Sequence, residues 1–427
     1  MLSGTTTPPP RETCTCTCPG DSLEQRVARL ALDAFHALPA RCKPRWDPPA
    51  GVREWVPMSA VVLAQNDGGL HLASLATGSK CLPAAILPKA SGLVLHDSHA
   101  EILALRALNR FLLQDAQAIL LSPHYASPFL ERVAGGLLGT FELRPSVSIH
   151  LFSTEPPCGD ASMEFIMAAQ QDATPWLLPP ALDPACDKIP PLPGRAYFSS
   201  LSVVRRKPSR PDAPPTLSKS CTDKLTLRQF TSVLSSPSTL LISPHNAYIS
   251  TFTVPFDKYN PQGYARAFTS KGRLSTFEGD LRIGPYTFNP FKVTPLPQSF
   301  ELTYAYSKPP PEDTTTRASN ISLLHINHPT NPTTEVLISG VKQGNGQLSI
   351  SRDNRKGSVV CRNKLYILLR EVVKLSDNDD LKTSVASFQC YRDLKINNCE
   401  RNEMKNRLTN ALCGWEHNIG DDEWLLQ

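Results

Sequence analysis

Apolar side chains along this chain change their period several times, and each change predicts an element. In SLEQRVARLALDAFHAL (22–38), Leu23, Val27, Leu30, Leu32 and Phe35 recur at helical spacing behind an Asp21-Ser22 cap. Two apolar runs flanking Asn66-Asp67-Gly68-Gly69 predict a β-hairpin within 55–83, because these residues tolerate the positive φ of a tight turn. HAEILALRALNRFLL, from His99 to Leu113, has the pattern of a buried helix. SVSIHLFST, from Ser146 to Thr154, alternates with Val147, Ile149 and Leu151 on one face and predicts a strand. CGDASMEFIMAAQQ then predicts a helix, with Pro157 in its first turn, where a missing N–H costs nothing. Strand, turn and helix in that order point to an α/β sandwich rather than a bundle.

Residues of about 172–216 are proline-rich and break the pattern, as an insertion of loops would. TLLISP and YISTFTV predict strands, and a polar, proline-rich connection follows over about 307–334. After the apolar runs EVLISGVKQG and SVVCRNKLYILLREVVKL, the stretch FQCYRDLKINNCERNEMKNRLTNAL predicts a helical run ending in CGWEHN. Residues 1–20 are rich in Thr, Pro and Cys and read as a disordered tail, which leaves 21–427 as one domain.

Composition narrows the class. Twelve cysteines in 427 residues, with no apolar leader, argue against a disulfide framework. No stretch approaches the about 18 apolar residues of a membrane span. The expectation is a soluble protein of the cytosol or nucleus. A net charge of +5 suits an anionic partner without requiring one. Cys14, Cys16 and Cys18 alternate by two with no partnering cluster and are weak evidence for a metal clip.

The chemistry lies in three short motifs. His99-Ala100-Glu101 opens the predicted buried helix, placing an imidazole beside a carboxylate. Pro157-Cys158 follows the predicted strand. Zinc deaminases of nucleobases combine H-x-E with P-C-x-x-C, the carboxylate moving protons while remaining off the metal. Here the second cysteine is missing: position 161 is Ala161. A catalytic zinc needs three protein ligands, so the third must come from elsewhere. Cys186 sits in the proline-rich segment with nothing regular to hold it, whereas Cys221, in SKSCTDKLTLRQF, precedes another helix-like run as Cys158 does. Cys221 is the better candidate.

Together, His99-Ala100-Glu101, Pro157-Cys158-Gly159-Asp160 and Ser220-Cys221-Thr222-Asp223-Lys224 resemble the adenosine deaminases acting on RNA and their tRNA-specific relatives. The resemblance spans roughly residues 45–420. It implies a three-layer, cytidine-deaminase-like α/β sandwich with a central mixed sheet, enlarged by a C-terminal extension. The tRNA branch fits better, since fewer than 60 residues precede the resemblance, too few for a double-stranded-RNA-binding domain. VVRRKPSRPD is also similar to that branch's basic loop, with Ser209 where a glycine is expected. The implied reaction is conversion to inosine of the adenosine at position 37 of alanine tRNA, with Zn²⁺ on His99, Cys158 and Cys221 and with Glu101 as the proton carrier. No protein partner is implied, and the expectation is a monomer.

The resemblance also implies a buried inositol hexakisphosphate. By motif match its ligands would be Arg106, Ser218, Lys224, Arg362, Tyr391, Lys395, Lys405 and Trp415, with Asp97 and Lys207 linking it to the zinc site. The family's G-W-V-E-K is replaced by Glu416-His417-Asn418 after Trp415, so one expected lysine is absent. Ser79 and Lys80 match a segment beside the target nucleotide, and Arg205, Arg206 and Arg210 would meet the RNA backbone. Against this stand an inactive RNA-binding module of the same fold, a free-nucleoside deaminase and a structural zinc protein. Glu101 argues against the first, the basic loop against the second, and a three-ligand site against the third.

Overall fold

A computed structural model of the chain describes residues 20–426, apart from 48, 50, 134–139, 170–191, 194–199, 208–212, 278, 280, 311–314 and 345–354. The predicted N-terminal tail and most of the proline-rich insertion lie outside the described residues.

The frame is an eight-stranded mixed sheet. Its strands are β1 (Met58–Gln65), β2 (Leu70–Thr77), β3 (Val147–Ser153), β4 (Ile249–Val254), β5 (Lys292–Pro295), β6 (Ile321–Ile326), β7 (Thr333–Ile338) and β8 (Val341–Lys342). The order across the sheet is β5-β4-β3-β1-β2-β6-β7-β8. Strands β3, β4 and β5 are parallel to one another, and every other pairing is antiparallel. Met58 pairs with Thr77 and Ser59 with Ser153. The starts of β1 and β6 therefore share one edge with the ends of β2, β3 and β4.

Strand alternation assigns two apolar faces. Helix α1 (Leu23–Ala37) covers one, where Val27, Ala31 and Phe35 meet Met58, Ala60, Val62, Leu72 and Leu75. Ser22 and Gln25 close its N-terminus as a reciprocal capping box. The other face carries α2 (Ala100–Leu121), α4 (Cys221–Thr231), α5 (Pro261–Phe268) and α6 (Arg362–Leu375), packed on Val61, Leu63, Ala73, Ala76, Ile149 and Leu151. Between β3 and α4 lies the short α3 (Met163–Ala168). Leu103, Leu108, Phe111 and Leu112 of α2 are fully buried, each contributing about 1.5–3 kcal/mol. This is a three-layer sandwich. The extension continues with α7 (Asp379–Ser387), α8 (Tyr391–Ile396) and α9 (Cys399–Ala411), and α9 docks on α4 through Phe230, Met404 and Leu408. No helix among the described residues is long and apolar enough to cross a membrane.

Four expectations need correction. The 307–334 connection contains β6, an interior strand, whose ISLLHI run is short and flanked by polar residues that masked it. TLLISP is not a strand: a short helix, Ser236–Thr239, with Pro237 in its first turn, leads into a loop. The helix after Cys158 starts only at Met163, following a 3-10 turn over Asp160–Ser162, so Pro157 lies before the helix. The C-terminal helical run breaks at Asn397-Asn398, where the Asn398 side chain accepts from Arg401 N–H and caps α9.

Candidate active site

Three chain segments converge at the sheet edge defined above. His99 is the N-cap of α2, and its backbone N–H donates to Asp97 Oδ1 at 3.0 Å. Ala100 N–H donates to Gly78 O, tying the start of α2 to the end of β2. Gly78 has φ +154°, and a Cβ there would fall 1.9 Å from Ser98 O, so the approach requires glycine. Cys158 lies just beyond β3. Cys221 is the first residue of α4, whose N-cap Ser220 accepts from Asp223 N–H.

The α4 N-terminus locks onto the Cys158 loop. Thr222 N–H donates to Cys158 O at 3.0 Å, and Cys221 N–H donates to Cys158 Sγ at 3.3 Å. The helix terminus polarising Cys158 is therefore that of α4 rather than one of its own. At Ala161, where a second cysteine would stand in P-C-x-x-C, the side chain is fully buried in the apolar core.

His99 Nδ1 lies 3.8 Å from Cys158 Sγ and 3.5 Å from Cys221 Sγ, and the three donor atoms all fall within 4.8 Å of one another. A tetrahedral zinc, with Zn–S of about 2.3 Å and Zn–N of about 2.0–2.1 Å, separates sulfur from nitrogen by about 3.6 Å. The donor set fits such an ion. A second grouping, Cys81, Asp97 and His99, shares the imidazole. It suits a cation poorly, because Asp97 already receives Lys207 Nζ at 2.7 Å, Ser218 Oγ at 3.2 Å and the Lys224 ammonium.

The groups inside shift one another's protonation. A hydrogen bond from Cys221, with Lys207 and His99 nearby, pulls the Cys158 thiol well below its ordinary range. Burial and that neighbouring thiolate push the Cys221 thiol up. Burial and Lys207 oppose charge on His99, but Cys158, Cys81 and Asp97 outweigh them and raise it to about 10. Glu101 is 4% exposed and accepts from Cys221 Sγ at 3.3 Å. Burial raises its carboxyl above the usual value, which suits a group that must both take and release a proton.

Behind this pocket stands a cluster of cations. Arg106 of α2, Arg362 of α6, Lys395 of α8 and Lys405 of α9 come from four helices toward one region. Lys405 is held down to about 8 by burial and by Arg401, Lys395, Arg228 and Arg362. Arg228 is held down to about 9 by burial, Arg401 and Arg106. Lys219 falls to about 7 through burial, Lys224, Arg206 and Lys405. Among the described residues Arg106 makes no hydrogen bond or ion pair, and Arg401 Nε is buried with no acceptor. Such a cage repels itself unless an anion balances it, so its donor set fits a polyanion. Arg228, Arg401 and Lys219 were not anticipated from the sequence.

The other expected residues divide. Arg362 donates to Asp421 O at 2.6 Å and lies over the Tyr391 ring, and Lys395 pairs with Asp422 at 2.7 Å. Ser218 and Lys224 sit on Asp97, between the metal pocket and the cage. Trp415 packs on the apolar cluster of Phe230 and Met404. His417 stands near Lys405, Lys219 and Lys395, which with burial lower its pKa. Ser79 and Lys80 are half-buried beside the α2 start, where Lys80 O accepts Ser98 N–H. Arg206 pairs with Glu416. Arg205 departs from expectation: it is 1% exposed and donates to Ser200 O at 2.6 Å, so burial keeps it from an RNA backbone. Arg210 lies outside the described residues.

The sequence matches the adenosine-deaminase (editase) domain over residues 74–418. It is 34% identical over 405 residues to the tRNA-specific adenosine deaminase 1 of Schizosaccharomyces pombe, covering 93% of this chain and 96% of that protein. To the protein of the same name from Saccharomyces cerevisiae it is 35% identical over 227 residues, 50% of this chain and 54% of the relative. A double-stranded RNA-specific editase B2 of Mus musculus is 36% identical over 91 residues, 20% of this chain and 11% of the relative.

Proposed function

From the premise that this chain belongs to the adenosine-deaminase (editase) family and is an adenosine deaminase, we propose that it deaminates adenosine to inosine in tRNA with the help of zinc, its target being position 37 of alanine tRNA. The observation that carries the reading is the His99, Cys158 and Cys221 triangle with buried Glu101 against it. The extensive similarity to a tRNA-specific deaminase supports the substrate class.

His99, Cys158 and Cys221 would hold the zinc, which when bound supplies Lewis acidity that makes water acidic enough to act near neutral pH. Glu101 takes the proton from the attacking water and delivers it to N1 of adenine as C6 is attacked. The same carboxylate then takes the proton of the new C6 hydroxyl and passes it to the C6 amino nitrogen, so that the C–N bond breaks, ammonia leaves and inosine remains. Lys207 and Asp97 hold Cys221 and the His99 backbone in register from behind. The target base must leave the anticodon-loop stack to reach this depth. Ser79 and Lys80, half-buried beside the α2 start, are the candidates for contact with the target nucleotide, and Arg206 and Arg210 those for the RNA backbone. Inositol hexakisphosphate is the proposed occupant of the cation cage, with Arg106, Arg228, Arg362, Arg401, Lys395 and Lys405 as its surroundings. Incubation of purified protein with an alanine-tRNA transcript, read by inosine sequencing, tests the substrate: inosine at position 37 is expected, and inosine elsewhere or none contradicts it.

A further inference from the structure

A three-stranded sheet lies beside β1: Trp46–Asp47, Val52–Trp55 and Thr316–Ala318. It runs directly into the starts of β1 and β6, so topology puts it at the same edge as the active site. Lys308, whose Nζ lies over the sheet's Trp55 ring, joins it to the catalytic loop: its backbone N–H donates to Glu155 Oε1 at 3.1 Å, three residues before Cys158.

The register puts aromatic rings and cations on one face. Trp46 pairs with Arg53, and Arg53 and Trp55 are two apart on their strand and point the same way. The Arg53 guanidinium lies 5.1 Å over the Trp46 ring, and Lys308 Nζ lies 5.9 Å over Trp55. Tyr306 meets Trp46 edge-on at 6.0 Å and fixes its plane. Despite these contacts Trp46 remains 45% exposed. Two acids of this sheet are matched: Asp47 pairs with Arg45 at 3.4 Å and Glu54 with Arg317 at 3.2 Å. Arg53 forms no ion pair among the described residues, and its guanidinium donates to Ala305 O.

We propose that this face is a docking surface for the RNA substrate, on which Trp46 stacks an unpaired nucleotide of the loop that carries the target while Arg53 meets a backbone phosphate. The inference rests on the proposed RNA substrate. A base drawn out for deamination leaves its neighbours partly unstacked, and an exposed indole restores that stacking for any sequence. The Arg53 guanidinium over the Trp46 ring attracts the adjoining phosphate. A protein partner would need an acidic group placed opposite Arg53, whereas any RNA brings that charge on its backbone.

The test compares full-length wild type with Trp46→Ala, Trp46→Phe and Arg53→Gln on an alanine-tRNA transcript, at matched metal content. Trp46→Ala is expected to raise KM about tenfold, the scale of one lost stacked base, with the loss in KM rather than kcat. Trp46→Phe should restore most of it. Arg53→Gln should lower the salt dependence of binding by about one counterion. A wild type that converts the transcript, with KM unmoved in Trp46→Ala and Arg53→Gln, overturns this surface alone. A wild type that neither binds nor converts the transcript overturns the substrate reading and the surface with it.

Discussion

Lys207 and Asp97 meet at 2.7 Å with only 4% of either side chain exposed, and Lys207 reaches on to Cys221 Sγ at 3.2 Å. Burial opposes both charges, yet the pair wins: the Asp97 carboxyl is held well below its usual range and the Lys207 ammonium well above its own. Asp97→Asn leaves Lys207 and Lys224 beside the metal pocket without their carboxylate. The expected cost is about 3–5 kcal/mol of folding stability, read by urea unfolding, together with reduced metal content. A variant within about 1 kcal/mol of wild type would mean that water or another group balances these ammonium ions.

Gly159 joins the Cys158 loop to α4 at φ +112°, where an added Cβ would lie 2.2 Å from Ser220 Oγ. Gly159→Ala must push the loop from the α4 N-terminus, breaking the Cys221 N–H to Cys158 Sγ contact. We expect at least a tenfold loss of metal affinity, beyond the about 1–3 kcal/mol of strain in a backbone region that essentially only glycine adopts. Competition against a chelator measures it, and unchanged affinity would contradict the assignment of α4 as the clamp.

With inositol hexakisphosphate as the proposed occupant of the cation cage, its binding is expected to depend on pH. Lys219 and Lys405 have pKa values of about 7 and about 8, and phosphate groups beside them would raise both. Binding then takes up protons, so affinity rises as pH falls through that range. Protein refolded with inositol hexakisphosphate should gain more in Tm at pH 6.5 than at pH 9, and Lys405→Gln should remove part of the difference. A gain equal at both pH values contradicts this account.

His96 donates through Nε2 to Asp421 Oδ2 at 2.6 Å, but burial and the nearby Arg362 lower its pKa to about 4. The folded value lies below 6.5, so the unfolded chain binds the proton first as pH falls. The stability held by the neutral ring is whole above pH 6.5 and is lost from there down to about pH 4, by up to about 3 kcal/mol. His96→Gln should flatten the stability curve across that interval. A slope as steep as the wild type's would assign the effect to other groups.

Local signals carried much of this in the sequence. The capping box at Ser22, the turn at Asn66-Asp67-Gly68-Gly69 and the alternation of SVSIHLFST each specify their elements over a few residues. The pairing of His99 with Cys158 was legible because strand, loop and helix are contiguous there. Cys221, 63 residues further on, was chosen from its helix-start context, and the α4 N-terminus meets the Cys158 loop. What stayed hidden depends on tertiary convergence. Arg228 and Arg401 belong to no motif in the sequence and come together only because α4 and α9 face each other. Arg205 read as a surface charge although its strand turns it inward. The interior strand β6 was concealed because six residues amid polar flanks carry little periodicity.

Glu101 gives the most direct test of the central claim. Glu101→Gln preserves shape and the metal triangle but removes the proton carrier, so it should keep its metal and its RNA affinity. Its single-turnover rate of inosine formation in an alanine-tRNA transcript should fall by about 10²–10⁴-fold. A variant that still forms inosine at the wild-type rate, with metal bound, would contradict the account.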